Sequence, residues 1–143
     1  GIRVLLNAAP ARPVSPALLA LVDLLVVNRG EAADLLGRPE AALDAGQAEE
    51  DLANLGPRAV IVTLGGDGLV LADGHHRHHQ PAPKVAVVST HGAGDAFIGA
   101  LATDWARGAD LETAARFAQA AAALHVSLPI DQRATITETL IRL

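Results

Sequence analysis

The sequence Ser89-Thr90-His91-Gly92-Ala93-Gly94-Asp95-Ala96-Phe97 sets small residues between two apolar segments. The run Val85–Val88 before it predicts a short strand, and residues 93–107 predict an apolar helix. Gly92 and Gly94 allow the backbone to approach an anion closely, and the first N–H groups of a helix have no partner within the helix. The stretch therefore predicts an anion hole at a strand-to-helix turn.

Asp95 follows these glycines in the first turn of the predicted helix. A carboxylate beside an anion hole can take the proton of an attacking hydroxyl, a contribution of about 100- to 10,000-fold in rate. The structural explanation is simpler: an acidic residue is favoured in the first turn by the helix dipole. From these residues alone, both explanations stand.

Apolar runs and helical patterns alternate through the rest of the chain. Strands are predicted at 2–7, 22–27 and 58–64, helices at 16–21, 31–36, within 39–55, at 111–126 and 135–143, and a hairpin turns at Asp73-Gly74. This alternation predicts an α/β fold, with a parallel sheet flanked by helices and a small antiparallel hairpin extension. We expect residues 1–143 to form a single domain. Because 2–7 is typical of an interior strand, we expect further chain to precede it.

The composition excludes several classes of protein. A net charge of −5 and a pI near 5.6 give no basic surface for a phosphate backbone, and aromatic residues are only 2% of the chain. Nucleic acid is therefore not expected as a partner. The absence of cysteine rules out disulfides and thiolate chemistry. No apolar run approaches the roughly 18 residues of a membrane span, so we expect no membrane segment and a cytoplasmic protein.

Two further motifs accompany the glycine stretch. They are Thr63-Leu64-Gly65-Gly66-Asp67-Gly68 after a predicted strand, and Asn28-Arg29-Gly30-Glu31 after another. Together with 89–97 and the following Gly99-Ala100, they resemble, in order and spacing, the signatures of the ribokinase and PfkB family of carbohydrate kinases. The segment 7–23 is more similar to ribokinases proper than to distant PfkB members. The resemblance covers essentially all 143 residues, and the family's N-terminal half, with its sugar-binding glycines and β-lid, is absent from them.

The resemblance implies an ATP-dependent sugar kinase with ATP and Mg²⁺ as cofactors. Asp95 would be the catalytic base and contact the sugar hydroxyl, and the N–H groups of Gly92, Ala93 and Gly94 would hold the γ-phosphate. Glu31 would bind Mg²⁺ and its waters. For Asn28 and Glu31, a capping box is an alternative compatible with these roles.

The remaining residues that the resemblance assigns contact the nucleotide. Asn28 would contact its phosphates, and Gln119 would lie near the adenine, although an ordinary helix position explains Gln119 equally well. The ATP-binding residues are then Asn28, Thr63, Leu64, Gly65, Gly66, Asp67, Gly68, Gly94 and Gln119.

The sequence departs from the family at the monovalent-cation site. Ser89 stands where ribokinases have an acidic residue, and the loop after the long helix has Ile130 and Ala134 in place of a glycine and a small hydroxyl residue. K⁺ is therefore doubtful as a cofactor. His91 replaces a usual Thr or Ile, and we expect it to contribute only its backbone.

The cluster His75-His76-Arg77-His78-His79 invites a metal site. On a strand, alternate side chains face opposite ways, so these histidines do not share one side. We therefore expect an exposed hairpin strand there and place no metal on it.

The leading hypothesis is phosphorylation of a primary hydroxyl of a pentose, with ribose as first guess. A kinase for another sugar or a nucleoside, a nucleotide-binding pseudokinase and an inert fragment share the fold and remain alternatives. By the resemblance, the full-length protein would form a homodimer through the missing lid. We expect this chain alone to have negligible activity, because the parts that hold and shield the sugar lie elsewhere.

Overall fold

The computed structural model describes residues 1–74 and 76–143, which form two compact units, Gly1–Pro81 and Ala82–Leu143. The expectation of a single domain stays a prediction, and each unit is described by itself. Among the described residues, no helix combines the length and apolar character needed to cross a bilayer.

The first unit is a five-stranded mixed sheet with helices. Its elements are β1 (Leu5–Asn7), α1 (Pro16–Leu19), β2 (Leu24–Asn28), α2 (Arg29–Leu36), α3 (Ala45–Ala53), β3 (Ala59–Thr63), β4 (Leu69–Asp73) and β5 (His76–Gln80). The strand order is β1-β2-β3-β4-β5. The pairs β1–β2 and β2–β3 are parallel, whereas β3–β4 and β4–β5 are antiparallel. This confirms the predicted parallel sheet with an antiparallel hairpin extension.

The core of the first unit lies between the sheet and α2 and α3. Leu25 and Val27 of β2 and Val60 and Val62 of β3 alternate along their strands and share one face. They pack with the small or branched residues Ala32, Ala33, Ala48 and Leu52 of the two helices. Small side chains bring helix and sheet close together, which compensates for the scarcity of aromatic residues.

The second unit is built on two long helices, α4 (Ala93–Ala106) and α5 (Leu111–Ser127), followed by a 3₁₀ segment at Ile130–Thr135 and α6 (Glu138–Ile141). Asp110 caps α5 by accepting a hydrogen bond from the Thr113 N–H at 2.8 Å. The buried Asp104 of α4 pairs with Arg142, whose guanidinium lies 4.4 Å from the ring centroid of Phe117. These contacts hold the C-terminal segment against the helix pair.

Two local predictions are wrong. Residues 85–88 form no strand; Val87 is 60% exposed, and the Val88 and Ser89 N–H groups donate to the Val126 carbonyl at 2.8 and 3.2 Å. These backbone N–H groups therefore bond to the end of a helix and not to a neighbouring strand. Residues 135–143 are not one helix, because a new N-cap at Thr137 starts α6. In the described sheet the first strand has β2 as its neighbour, and its interior position in a longer chain stays a prediction.

Replacement of Leu25, fully buried in β2, tests the core of the first unit. Leu25→Ala should lower the free energy of unfolding by about 2–5 kcal/mol, because it removes buried methyl groups and leaves a cavity. Leu21→Ala is the control, since Leu21 is 69% exposed, and should change stability by less than about 0.5 kcal/mol. Urea unfolding followed by circular dichroism measures both; similar midpoints for the two variants would contradict this core.

Candidate functional site

Two predicted motifs meet at one edge of the first unit's sheet. The register of the parallel pair β2–β3 sets Asn28 opposite Thr63, and each is the last residue of its strand. Ligands of open α/β sheets bind at the carboxyl ends of such strands. The structure thus brings the Asn28–Glu31 motif and the Thr63–Gly68 turn together at the edge where a ligand is expected.

Asn28 and Glu31 form a capping box at the start of α2. The Asn28 side chain accepts from the Glu31 N–H at 2.9 Å, and Glu31 Oε2 accepts from the Asn28 N–H at 2.8 Å. A Cβ atom at Gly30 would lie 3.4 Å from Glu40 Oε2, so a second carboxylate reaches this turn. Glu40 was not among the predicted site residues, because it comes from a separate 3₁₀ segment, Glu40–Ala42.

The capping box limits what Glu31 offers to a metal. One carboxylate oxygen is already a hydrogen-bond acceptor, and no group of three or more His, Cys, Asp or Glu residues within 1–74 and 76–143 is arranged to hold an ion. Mg²⁺ is commonly bound through one or two carboxylates, several waters and substrate phosphates. Glu31 fits that minimal arrangement, and its metal role stays a prediction.

The turn between β3 and β4 leaves backbone exposed. Its ends are joined by the Leu64 N–H, which donates to the Gly68 carbonyl at 2.8 Å. Gly65 and Gly68 have φ of +59° and +94°, which a side chain would strain. A Cβ atom at Gly65 or Gly66 would meet nothing within 4 Å, and their N–H groups donate to no acceptor in the described part of the chain. The turn therefore has both free donors and the room for a ligand.

Two side chains support this turn. The Thr63 hydroxyl lies 3.4 Å from the Val27 carbonyl across the strand pair. His79 of β5 has its Nε2 atom 3.0 Å from the Asp67 carbonyl oxygen. His79 thus has a structural contact, while His75 lies outside the described residues.

The residues of the predicted anion hole lie in the second unit. Gly92, at φ +78°, is the N-cap of α4, and no side chain caps this helix. The Ala93 N–H donates to the Thr90 carbonyl at 3.1 Å and is therefore committed to the turn. The N–H groups of Gly92, Gly94 and Asp95 donate to no acceptor among the described residues. These three donors, at the positive end of a 14-residue helix, suit an anion.

Asp95 lies in the first turn of α4 with an exposed side chain that makes no hydrogen bond or ion pair within the described residues. Its carboxylate therefore has no structural contact among the described residues and is accessible to a ligand. A free carboxylate and adjacent unpaired N–H donors are the groups that a general base beside an anion site requires. Gln119, in contrast, is only 7% exposed in α5, and its nucleotide contact stays a prediction.

Sequence reasoning missed two residues behind the anion hole. The guanidinium of Arg133 donates to the carbonyls of His91 at 2.8 Å and Ser89 at 3.1 Å. His125 Nε2 lies 3.0 Å from the same His91 carbonyl. It would also lie 3.0 Å from a Cβ atom at Gly92. The sequence does show an arginine in the loop next to Ala134, but the loop carbonyls of His91 and Ser89 that it binds are 42 and 44 residues away.

Comparison with known proteins gives matches along almost the whole chain. Residues 1–137 match the sequence model of the pfkB family of carbohydrate kinases. The chain is 37% identical over 129 residues to a deoxyribokinase of Salmonella typhi, which covers 89% of this chain and 42% of that protein. It is 38% identical over 125 residues to the ribokinase of Bacillus subtilis, which covers 87% of this chain and 40% of that protein.

Solved structures give the same result for the fold. The ribokinase of Thermotoga maritima superposes with a TM-score of 0.84 at 31% identity, covering 98% of this chain and 48% of that one. The ribokinase of Arabidopsis thaliana, complexed with ribose and ATP, gives a TM-score of 0.81 at 32% identity, covering 100% and 48%. These matches confirm the predicted ribokinase-like fold, and the chain spans less than half the length of these relatives.

The conformation of Gly92 can be tested by adding a methyl group. Gly92→Ala should destabilise the second unit by about 1–3 kcal/mol, because an alanine at positive φ is strained and its Cβ would press on His125. Gly94→Ala is the matched control: a Cβ there meets nothing within 4 Å, so stability should stay equal or rise by up to about 1 kcal/mol. Urea unfolding followed by the fluorescence of the single tryptophan, Trp105, measures both. Equal stability of the two variants would rule out this turn geometry.

Proposed function

This chain belongs to the pfkB family of carbohydrate kinases, and on that premise we propose that it carries the ATP site and the catalytic base of an ATP-dependent sugar kinase. The observation that carries the proposal is the exposed Asp95 in the same helical turn as the unpaired N–H donors of Gly92 and Gly94. A base and an anion hole on one helix terminus are what phosphoryl transfer to a hydroxyl needs.

The reaction follows from these groups. Asp95 takes the proton of the sugar hydroxyl while its oxygen forms a bond to the γ-phosphorus of ATP, and the bond from that phosphorus to the bridging oxygen breaks to release ADP. The N–H groups at the start of α4 stabilise the charge on the transferred group. The exposed backbone of Gly65 and Gly66 binds ATP phosphates in the first unit. Glu31 would hold Mg²⁺, which would neutralise part of the phosphate charge.

We assign a pentose as acceptor, with ribose first. Relatives at 37–38% identity are named deoxyribokinase and ribokinase, and an aminoimidazole riboside kinase from Salmonella enterica superposes with a TM-score of 0.75 at 32% identity. The substrates in these names all contain ribose or deoxyribose. Because a nucleoside also contains this unit, a nucleoside is the second candidate acceptor. The chain covers 42% of the Salmonella deoxyribokinase, so the isolated chain should have negligible kinase activity. Cytoplasmic location and dimerisation stay predictions.

Glu31→Gln separates metal binding from helix capping. Glutamine can complete the capping box but is a poor Mg²⁺ ligand, so the free energy of unfolding should change by less than about 0.5 kcal/mol. MgATP binding to the chain, measured by calorimetry, should weaken by about tenfold or more, while binding of ATP in EDTA should change little. Unchanged MgATP affinity would leave Glu31 with a capping role alone; no MgATP binding to the unsubstituted chain would refute the nucleotide site.

Asp95→Asn tests the base in the full-length kinase. Asparagine keeps the size but cannot accept the proton, so kcat for ribose phosphorylation should fall by about 100-fold or more. Asp73→Asn is the matched control, because Asn-Gly supports the same hairpin turn as Asp-Gly, and should retain kcat. A coupled ADP-release assay measures both. A kcat of Asp95→Asn within a few-fold of the unsubstituted enzyme would eliminate Asp95 as the base.

A further inference from the structure

Arg133 has an unusual set of partners for a charged side chain. Its guanidinium donates to three main-chain carbonyls: Nη1 to His91 at 2.8 Å, Nη2 to Ser89 at 3.1 Å and Nε to Leu128 at 3.3 Å. The side chain is half-buried, and no ion pair with a carboxylate involves it within residues 1–74 and 76–143. Nη1 also lies 3.0 Å from His125 Nε2, so carbonyl dipoles and an imidazole nitrogen surround the charge.

Carbonyl oxygens that surround one charged group form a cation site. In ion channels, backbone carbonyl oxygens replace the hydration shell of a monovalent cation. Here the oxygens come from both sides of the second unit's functional turn: Ser89 and His91 precede α4, and Leu128 follows α5. A guanidinium fits such a site because its donors are fixed in a planar fork.

The first consequence concerns the direction of the Gly92 N–H. The His91 carbonyl that Arg133 binds belongs to the same planar peptide group as the Gly92 N–H. In a trans peptide, the N–H and the C=O point in opposite directions, so Arg133 on the oxygen directs the N–H away from itself. A charge-assisted bond to the oxygen also polarises the peptide and strengthens its donor.

The second consequence concerns the Asp95 N–H. In a helix continued one turn earlier, this group would donate to the carbonyl four residues before it, which is that of His91. That oxygen instead receives Arg133 and lies 3.0 Å from His125 Nε2. The left-handed conformation of Gly92 ends the helix at the same point. The Asp95 donor is thereby left for a ligand.

We propose that Arg133 is an internal cation that fills the carbonyl site behind the anion hole and orients the Gly92 N–H toward the transferred phosphate. It is a positioning residue, and its catalytic consequence rests on the proposed function. Since its guanidinium occupies the carbonyls of Ser89, His91 and Leu128, the same oxygens are not available to K⁺. The proposal therefore predicts that the activity does not depend on K⁺.

The first test uses the 143-residue chain without substrate. In Arg133→Met, amide exchange of Val88 and Ser89, measured by NMR, should be at least about tenfold faster, because the loop that they anchor loses its charge-assisted bonds. The Gly92 amide proton should shift, since its peptide loses polarisation. Arg133→Lys keeps the charge but not the fork, so both effects should be smaller.

Arg116→Met is the matched control. Arg116 is an exposed arginine of α5 that pairs with Glu112 at 2.8 Å, a surface pair of little energetic weight. It should leave the exchange of Val88 and Ser89 and the Gly92 shift unchanged. The proposal is overturned if Arg133→Met shows the same amide exchange and the same Gly92 shift as Arg116→Met. If Arg133→Met fails to fold, the same result for Arg133→Lys overturns it. Because no nucleotide is used, this result is independent of the proposed function.

The second test uses the full-length kinase. The unsubstituted enzyme should have the same kcat in KCl and in choline chloride at equal ionic strength. Arg133→Met should lower kcat by about tenfold or more with the KM for ATP within about threefold, because a donor to the transferred group acts mainly in the transition state. Activation of the unsubstituted enzyme by K⁺ of more than about twofold, or an unchanged kcat in Arg133→Met, would contradict the internal cation.

Discussion

The first turn of a helix cannot pair its own N–H groups, and the two candidate ligand sites of this chain depend on how that constraint is met. At α2, Asn28 and Glu31 bond to each other's backbone, so side chains satisfy the helix start. At α4, the N-cap is Gly92 and no side chain caps the helix. The N–H groups of Gly92, Gly94 and Asp95 are left without acceptors among the described residues. One helix start is capped by its own side chains, and the other is open to an anion.

An open helix start needs support from behind, because unpaired donors alone do not hold a loop in one conformation. The support here comes from the C-terminal part of the second unit. Arg133 binds the carbonyls of the loop, and the Val126 carbonyl accepts from its Val88 and Ser89 N–H groups. His125 adds a steric limit, since a Cβ atom at position 92 would lie 3.0 Å from its Nε2 atom and the ring would have to shift. The donors are thus preorganised, which favours electrostatic stabilisation of a transition state.

Local sequence patterns predicted much of this arrangement, whereas contacts between residues distant in sequence could not be predicted. Residue spacing located β2, β3, the hairpin, α4 and α5, because each follows from apolar periodicity and turn residues nearby. The strand predicted at 85–88 is wrong, because strand formation needs a neighbour that periodicity does not reveal. The role of Arg133 was missed for the same reason: two of its three carbonyl partners, His91 and Ser89, are 42 and 44 residues away. Nothing in an isolated loop arginine says which oxygens it will reach.

Charge balance connects the departure at Ser89 with Arg133. In the pattern that this sequence resembles, an acidic residue stands at position 89 and accompanies a mobile monovalent cation. Here a hydroxyl side chain stands there, and the structure has a guanidinium on the Ser89 carbonyl. An acidic side chain at 89 would pair with that guanidinium and cancel its charge, whereas serine leaves a net positive charge behind the anion hole. That charge is covalently attached, so its local concentration does not depend on the ions in solution. A serine at 89 together with the guanidinium of Arg133 therefore favours negative charge in front of the Gly92 N–H.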